Sequence, residues 1–153
     1  MRGRLRLWCA AFALGMCVSV SCAAKQLAVI VDKTNPVSSI TTAELIKVFK
    51  FDNRKWPDGR NVVLVLRESS SPEMQAVIEK LYHMQPDEVK ALLAGHRAGV
   101  VFVNSEEQML KSVETIPGAV GIVDVYSITS RVNVIKVDGK LPLEQGYFLK
   151  ASQ

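Results

Sequence analysis

The chain has 153 residues, which is long enough for one domain with a substantial apolar core. Its 19 Lys and Arg residues and 15 Asp and Glu residues give a formal net charge of +4. Three of the basic residues, Arg2, Arg4 and Arg6, precede an apolar run, and without them the balance is 16 to 15. The remaining sequence has no basic run with interleaved aromatic residues, so we predict no nucleic-acid partner.

The first 24 residues have the pattern of an export signal. A basic end precedes an apolar run over residues 7–20, and small residues follow at 21–24. The run is too short to span a bilayer comfortably. We therefore predict a signal peptide over 1–24 and an exported, periplasmic domain over 25–153, which contacts a membrane only through the leader or a lipid. An uncleaved membrane anchor is the alternative.

All three cysteines, Cys9, Cys17 and Cys22, lie in this leader. The mature domain therefore has no disulfide and depends on its apolar core for stability. Cys22 follows small residues and is a candidate lipidation site at a bacterial lipoprotein cleavage point. Plain cleavage near Ala23 or Ala24 is the alternative.

The first half of the domain begins with a strand over residues 26–31, which is apolar throughout and therefore expected inside a sheet. Thr41 and Glu44 form a capping box that starts a helix. A Trp-Pro-Asp-Gly turn at 56–59 leads into a second apolar strand over 62–66. A helix begins at Pro72, with the i, i+3, i+4 apolar stripe of a helix lying on a core: Met74, Val77, Ile78, Leu81 and Tyr82.

The second half continues the alternation of helices and strands. A helix follows Pro86, and Ser105 starts another that ends at Pro117. The predicted strands cover residues 99–103, 119–123 and 132–137. Strands that alternate with helices predict one α/β domain whose sheet is covered on both faces.

The segment between the second strand and its helix carries the most informative polar residues, namely Arg67, Ser69, Ser70 and Ser71. Ser71 is a good N-cap, and a cation with three hydroxyls beside a helix N-terminus suits an anion. A purely structural role, in which Ser71 caps the helix and Arg67 pairs with a surface carboxylate, stays open.

Ser38 and Ser39 lie in the loop after the first strand and are predicted neighbours of this segment. The prediction rests on the tendency of open α/β sheets to bind ligands at the carboxyl ends of their strands.

The sequence lacks the residue patterns of common catalytic and metal sites. Its two histidines, His83 and His96, are far apart, and no cluster has metal-ligand spacing. The three serines at 69–71 are not in a Gly-x-Ser-x-Gly motif. We therefore predict no catalytic residue, no metal, no cofactor and no enzymatic activity.

Several short segments, taken in order, resemble one protein family. Residues 41–49 and the Lys-Trp-Pro-Asp-Gly-Arg stretch at 55–60 are similar to a helix and turn of the phosphate-binding proteins of ABC transporters. Arg67 with Ser71 resembles their Arg…Ser-Gly-Thr loop, and residues 117–123 resemble their Pro-Gly-Ala-Ile-Gly strand. The chain is thereby identified as a single-lobe member, and the resemblance implies one lobe of a type II periplasmic binding protein, with a mixed sheet of about five strands and helices on both faces.

Two departures from the family bear on function. The Gly-Ser-rich phosphate loop of the other lobe is absent, and Ser71-Pro72-Glu73 replaces Ser-Gly-Thr, so Glu73 competes for the helix terminus. The resemblance implies weak binding of phosphate or another small anion, with ABC transporter membrane subunits as partners. The alternative is an envelope adaptor that binds another envelope protein and has lost anion binding.

Overall fold

The computed structural model describes residues 24–151. Most of the predicted leader, including Cys22, and the last two residues lie outside the described residues. Within residues 24–151, no helix combines the length and the apolar character needed to cross a membrane.

The described chain alternates strands and helices, as its hydrophobic periodicity predicts. Its strands are β1 Lys25–Asp32, β2 Ser39–Ile40, β3 Val63–Arg67, β4 Val100–Val103, β5 Ala119–Asp124, β6 Val132–Val134, β7 Lys136–Val137 and β8 Lys150–Ala151. Its α-helices are α1 Thr42–Phe49, α2 Pro72–Val77, α3 Pro86–Gly95 and α4 Glu106–Thr115. A π-helical segment, Ile78–Tyr82, continues α2, and short 3₁₀ turns span Arg97–Gly99 and Val125–Ser127.

Six strands form one mixed sheet in the order β4–β3–β5–β1–β6, and β8 pairs with the start of β1. β3 runs parallel to β4 and β5, whereas β1 runs antiparallel to β5, β6 and β8. The carboxyl ends of β3, β4 and β5 and the amino end of β1 therefore share one edge, which we call the carboxyl edge. The predicted mixed α/β sheet is confirmed.

Both faces of the sheet are covered by helices. Alternate residues of β1, such as Leu27 and Val29, belong to the larger apolar cluster that includes side chains of α1, α2 and α3. Ala28 and Ile30, on the opposite face, belong to a smaller cluster with Met109 of α4. This alternation is the period of two that a strand imposes on its side chains.

Two local predictions need correction. The predicted strand 132–137 is two strands, because the chain leaves β1 after Val134 and pairs in parallel with β2. An apolar run does not reveal its partner strand, so the break was not visible in the sequence. The predicted helix 72–82 is present, but its last five residues are π-helical.

Trp56 is a packing residue, as its place beside the 56–59 turn suggests. It is buried, and its indole Nε1 donates to the carbonyl oxygen of Gly118 at 2.8 Å. Gly118 has a φ of +80°, and a Cβ there would lie 2.1 Å from the carbonyl oxygen of Asn61. Only glycine fits this close approach between the segments that lead into β3 and β5.

Candidate functional site

Arg67 is the last residue of β3, and Ser71 is the N-cap of α2. Ser71 Oγ accepts a hydrogen bond from the backbone N–H of Met74 at 3.1 Å, and Pro72 occupies the first turn of the helix. Because Ser69 and Ser70 lie between these two residues, all four predicted polar residues are grouped at the carboxyl edge. The strand–loop–helix arrangement around them is as the sequence predicts.

Most backbone donors of the first turn of α2 are missing or already used. Pro72 has no N–H. The N–H of Met74 donates to Ser71 Oγ at 3.1 Å. The N–H of Gln75 donates to the carbonyl oxygen of Ser71 at 3.0 Å. An incoming anion would thus depend mainly on side chains rather than on this helix N-terminus.

Glu73 is buried beneath the site and is neutralised from β1. Its side chain accepts from Lys25 Nζ at 2.5 Å and is 5% exposed. Lys25 also lies 3.3 Å from Asp124 at the end of β5 and 3.7 Å from Glu106 at the start of α4. One ammonium group therefore holds three carboxylates from three different elements.

The protonation of this cluster follows from its contacts. Burial acts to raise the pKa of Glu73, but the Lys25 hydrogen bond, the residue's own N–H and the charges of Lys25 and Arg67 together hold the pKa below its ordinary value. For Lys25, burial acts to lower the pKa, but its three carboxylate neighbours raise the pKa above the ordinary value. Both groups are thus charged at neutral pH.

Arg67 keeps its hydrogen-bonding capacity. None of the ion pairs formed within residues 24–151 includes Arg67. Its Nε is buried and has no acceptor. The pairing of Arg67 with a surface carboxylate, which belongs to the alternative structural role, is therefore not found among these residues. A guanidinium with an unmet donor retains affinity for an oxyanion.

Arg67 is one of the residues that line a groove of about 880 Å³ between α2, α3 and the β3–β4 part of the sheet. Ser69 and Ser70 line the same groove, whereas Ser71 is taken up by its cap. The lining also includes apolar side chains from both helices and from β4. The groove therefore presents one cationic, hydroxyl-rich end next to an apolar floor.

The structure does not bring Ser38 and Ser39 to this site. β1 is antiparallel to β5, so its carboxyl end lies where β3 and β5 begin. Asp32 lies at that end of β1. Its carboxylate accepts from the N–H of Gly118, which precedes β5, and pairs with Arg60, which precedes β3. Ser39 pairs with Lys136 instead. The prediction failed because the direction of β1 relative to β3 is not encoded in the local pattern.

Sequence reasoning missed Lys25, Glu106 and Asp124. Asp124 had a readable signal, since it is the charged residue that follows the apolar run at 119–123. Lys25 is the first residue of β1, and nothing in its neighbourhood in the sequence indicates a role at this site. Glu106 hydrogen-bonds the N–H of Asp124 at 3.1 Å and also the hydroxyl of Ser127, which ties α4 to the end of β5.

The part of the chain that the structure describes has no group of three or more His, Cys, Asp or Glu side chains arranged to hold a metal ion. His83 is exposed at the end of the π-helical segment. His96 stacks on Phe51 with 4.3 Å between ring centroids. Neither histidine lines the groove beside Arg67.

Solved structures share this fold. An ABC-type phosphate transport receptor from Vibrio cholerae superposes with a TM-score of 0.66 and 22% identity, over 78% of this chain and 48% of that one. PstS from Borrelia burgdorferi superposes with a TM-score of 0.70 and 17% identity, over 84% of this chain and 55% of that one. A putative phosphate ABC transporter substrate-binding protein from Clostridium perfringens, with bound phosphate, superposes with a TM-score of 0.64 and 21% identity, over 76% of this chain and 46% of that one.

The chain thus spans about half the length of these proteins, and the predicted single-lobe fold is confirmed. No family model matches the sequence. One curated sequence is 28% identical over 82 residues, which are 53% of this chain and 24% of that protein. It is the UDP-N-acetylglucosamine–N-acetylmuramyl-(pentapeptide) pyrophosphoryl-undecaprenol N-acetylglucosamine transferase of Aquifex aeolicus. A match to a quarter of that enzyme assigns neither family nor activity to this chain.

Proposed function

We propose that this protein is an exported, non-catalytic binding module that takes phosphate or another small anion weakly at Arg67, Ser69 and Ser70. The proposal extends to this chain the ligand named for the neighbours with the same fold. Because those neighbours are named as ABC transporter proteins, transporter membrane subunits are proposed partners. Residues 1–24 would act as the export signal, and Cys22 would be the lipid site if the chain is anchored.

The observation that carries the proposal is Arg67 at the end of the groove, which forms no ion pair with another described residue and whose Nε has no acceptor. A buried N–H without an acceptor is unfavourable by about 1–3 kcal/mol. An oxyanion at this end of the groove would form a charge-assisted hydrogen bond with the guanidinium. Ser69 and Ser70 add hydroxyl donors on the same loop.

The expected affinity is low. The first turn of α2 contributes few donors, and one lobe leaves an anion partly in water. Charged hydrogen bonds contribute about 1.5–3 kcal/mol when buried and much less when exposed. A total of about 4 kcal/mol, which is a millimolar Kd, is therefore expected for phosphate.

Isothermal titration calorimetry of the purified protein with inorganic phosphate tests the proposal. We expect saturable heat in the millimolar range that Arg67→Ala removes. Arg67→Lys should weaken binding, because it keeps the charge but loses the guanidinium fork. Arg131→Ala is the matched control, since Arg131 is an exposed arginine that precedes β6 at the opposite edge. Equal heats from the Arg67→Ala and Arg131→Ala proteins would refute an anion site at Arg67.

The second candidate is an envelope adaptor that binds protein and has lost anion binding. It is favoured by Glu73, whose carboxylate lies in the first turn of α2, where an anion would otherwise bind, and is paired with Lys25. In that case, a pull-down should recover an envelope protein equally well with the Arg67→Ala variant. Loss of the partner in that variant would favour the anion site over the adaptor.

A further inference from the structure

We propose that the groove beside Arg67 binds an amphiphilic organic anion rather than bare phosphate. The anionic head would lie at Arg67, and a linear apolar chain would lie along the floor between α2 and α3. The inference rests on the proposed anion site and names its ligand class.

The size of the groove points beyond inorganic phosphate. Its volume of about 880 Å³ lies in the range of sites for drug-sized molecules. At about 30 Å³ for each water in the liquid, the volume equals roughly thirty water molecules. Phosphate at Arg67 would leave most of this space filled with water.

The lining next to Arg67 is apolar. Met74 and Ile78 contribute from the helix after Ser71, and Val89 and Leu93 from α3. Phe102 of β4 also lines the groove and is 59% exposed, although it is a large aromatic side chain. An exposed aromatic side chain beside a recessed apolar floor and a cationic residue is typical of a site for a ligand with an apolar part.

The charges of the groove favour an anionic head. Its lining contains three cations, Arg67, Lys90 and Arg97, and two anions, Glu68 and Asp87. None of these five residues takes part in an ion pair within the described range 24–151. The other carboxylate near Arg67, that of Glu73, is already paired with Lys25.

The shape favours a single amphiphile over a membrane surface. Met74, Ile78, Val89 and Leu93 are nearly buried, so the floor is recessed between the helices. A bilayer surface would reach the rim at Phe102 but not this floor. The alkyl chain of a single amphiphile molecule is able to enter the groove.

Calorimetry with a series of phosphates tests the proposal: inorganic phosphate and then methyl, butyl, hexyl and octyl phosphate, each below its micelle concentration. Each methylene that becomes fully buried should tighten binding about fourfold, which corresponds to about 0.8 kcal/mol. Partial exposure lowers the factor towards twofold, and the gain should stop when the chain outgrows the groove. Arg67→Ala should weaken every member of the series.

Phe102→Ser should reduce the gain with chain length without affecting inorganic phosphate. Because Phe102 is largely exposed, this variant is expected to fold. Tyr126→Ser is the matched control, since Tyr126 is 85% exposed and lies outside the groove lining.

The outcomes separate this inference from the proposed function. Binding of phosphate with no gain from the alkyl chain would overturn the inference and leave the proposed function intact. Absence of binding for the whole series would overturn both. Chain-dependent binding that persists in Arg67→Ala, or that is equal in Phe102→Ser and Tyr126→Ser, would overturn the placement in this groove. Stronger binding to anionic vesicles than to octyl phosphate would indicate a membrane surface and also overturn it.

Discussion

Replacing Lys25 by methionine removes the only cation within ion-pairing distance of Glu73 among the described residues. Methionine keeps much of the apolar length of lysine but not its ammonium group. Glu73 would then be a buried carboxylate next to Asp124 and Glu106, two further carboxylates that Lys25 also holds.

The magnitude follows from burial. Breaking a fully buried ion pair costs about 3–5 kcal/mol, but Lys25 is 26% exposed, and water would reach part of the vacated space. Loss of a hydrogen bond to a charged group costs about 1.5–3 kcal/mol. We therefore expect Lys25→Met to lower the free energy of unfolding by about 2–3 kcal/mol at pH 7.

Urea unfolding as a function of pH gives this prediction a second signature. In the unaltered protein the pKa of Glu73 is lowered, so its contribution is full above the ordinary glutamate pKa and is lost as pH falls through the lower folded value. Without Lys25, burial would raise the pKa of Glu73. The destabilisation should then be largest at neutral pH and should shrink as pH falls towards 4.

A double-mutant cycle isolates the pair. In a Glu73→Gln background, Lys25→Met should cost much less than in the unaltered protein, because no buried charge remains to be compensated at Glu73. Lys33→Met is the control, since Lys33 is exposed and forms no ion pair within residues 24–151, and it should change stability by less than about 0.5 kcal/mol. A Lys25→Met effect as small as this control, or one unchanged by Glu73→Gln, would refute the role assigned to the cluster.

Three other substitutions test the fold around the site. Gly118→Ala should lower the free energy of unfolding in urea by more than about 2 kcal/mol, because its Cβ would meet Asn61 O. Gly139→Ala is the control and should cost only about 1 kcal/mol, since Gly139 has a similar φ of +75° but open space around it. Equal effects would contradict the close approach at Gly118. Burial opposes ionisation of Asp32, but hydrogen bonds from Thr34, Gly118 and Arg60 lower its pKa. The stability that Asp32 contributes is therefore present above about pH 3.9 and is lost as pH falls through its folded pKa. Asp32→Asn should thus reduce the loss of thermal stability that the protein shows on acidification. Ser71→Ala should lower the free energy of unfolding by about 1 kcal/mol through loss of the α2 cap, and an unchanged urea midpoint would count against that cap.

Local structure was largely predictable because its signals are local. The capping box of Thr41 and Glu44 is present at the start of α1. Ser71 and Pro72 begin α2 where the sequence places them, and the apolar stripe from Met74 to Tyr82 is buried. Side-chain caps and apolar periodicity each involve residues a few positions apart, so one sequence is sufficient to read them.

The remainder depends on contacts between distant residues. Lys25 and Glu73 are 48 positions apart, and no pattern of either segment indicates that β1 begins beside α2. The misplacement of Ser38 and Ser39 has the same origin, because the sequence does not state whether β1 is parallel or antiparallel to its neighbours. The π-helical segment after Val77 also left no distinct signal, since its apolar residues fit an α-helical stripe equally well.

The most direct test of the anion site is a two-dimensional ¹H–¹⁵N spectrum that includes the Nε–H resonance of Arg67. Titration with inorganic phosphate should shift this resonance and the amides of residues 68–71 together, with one millimolar Kd, and leave residues 38–39 at the far edge unchanged. A constant Arg67 Nε–H resonance at saturating phosphate, or shifts confined to another part of the protein, would contradict anion binding at the carboxyl edge.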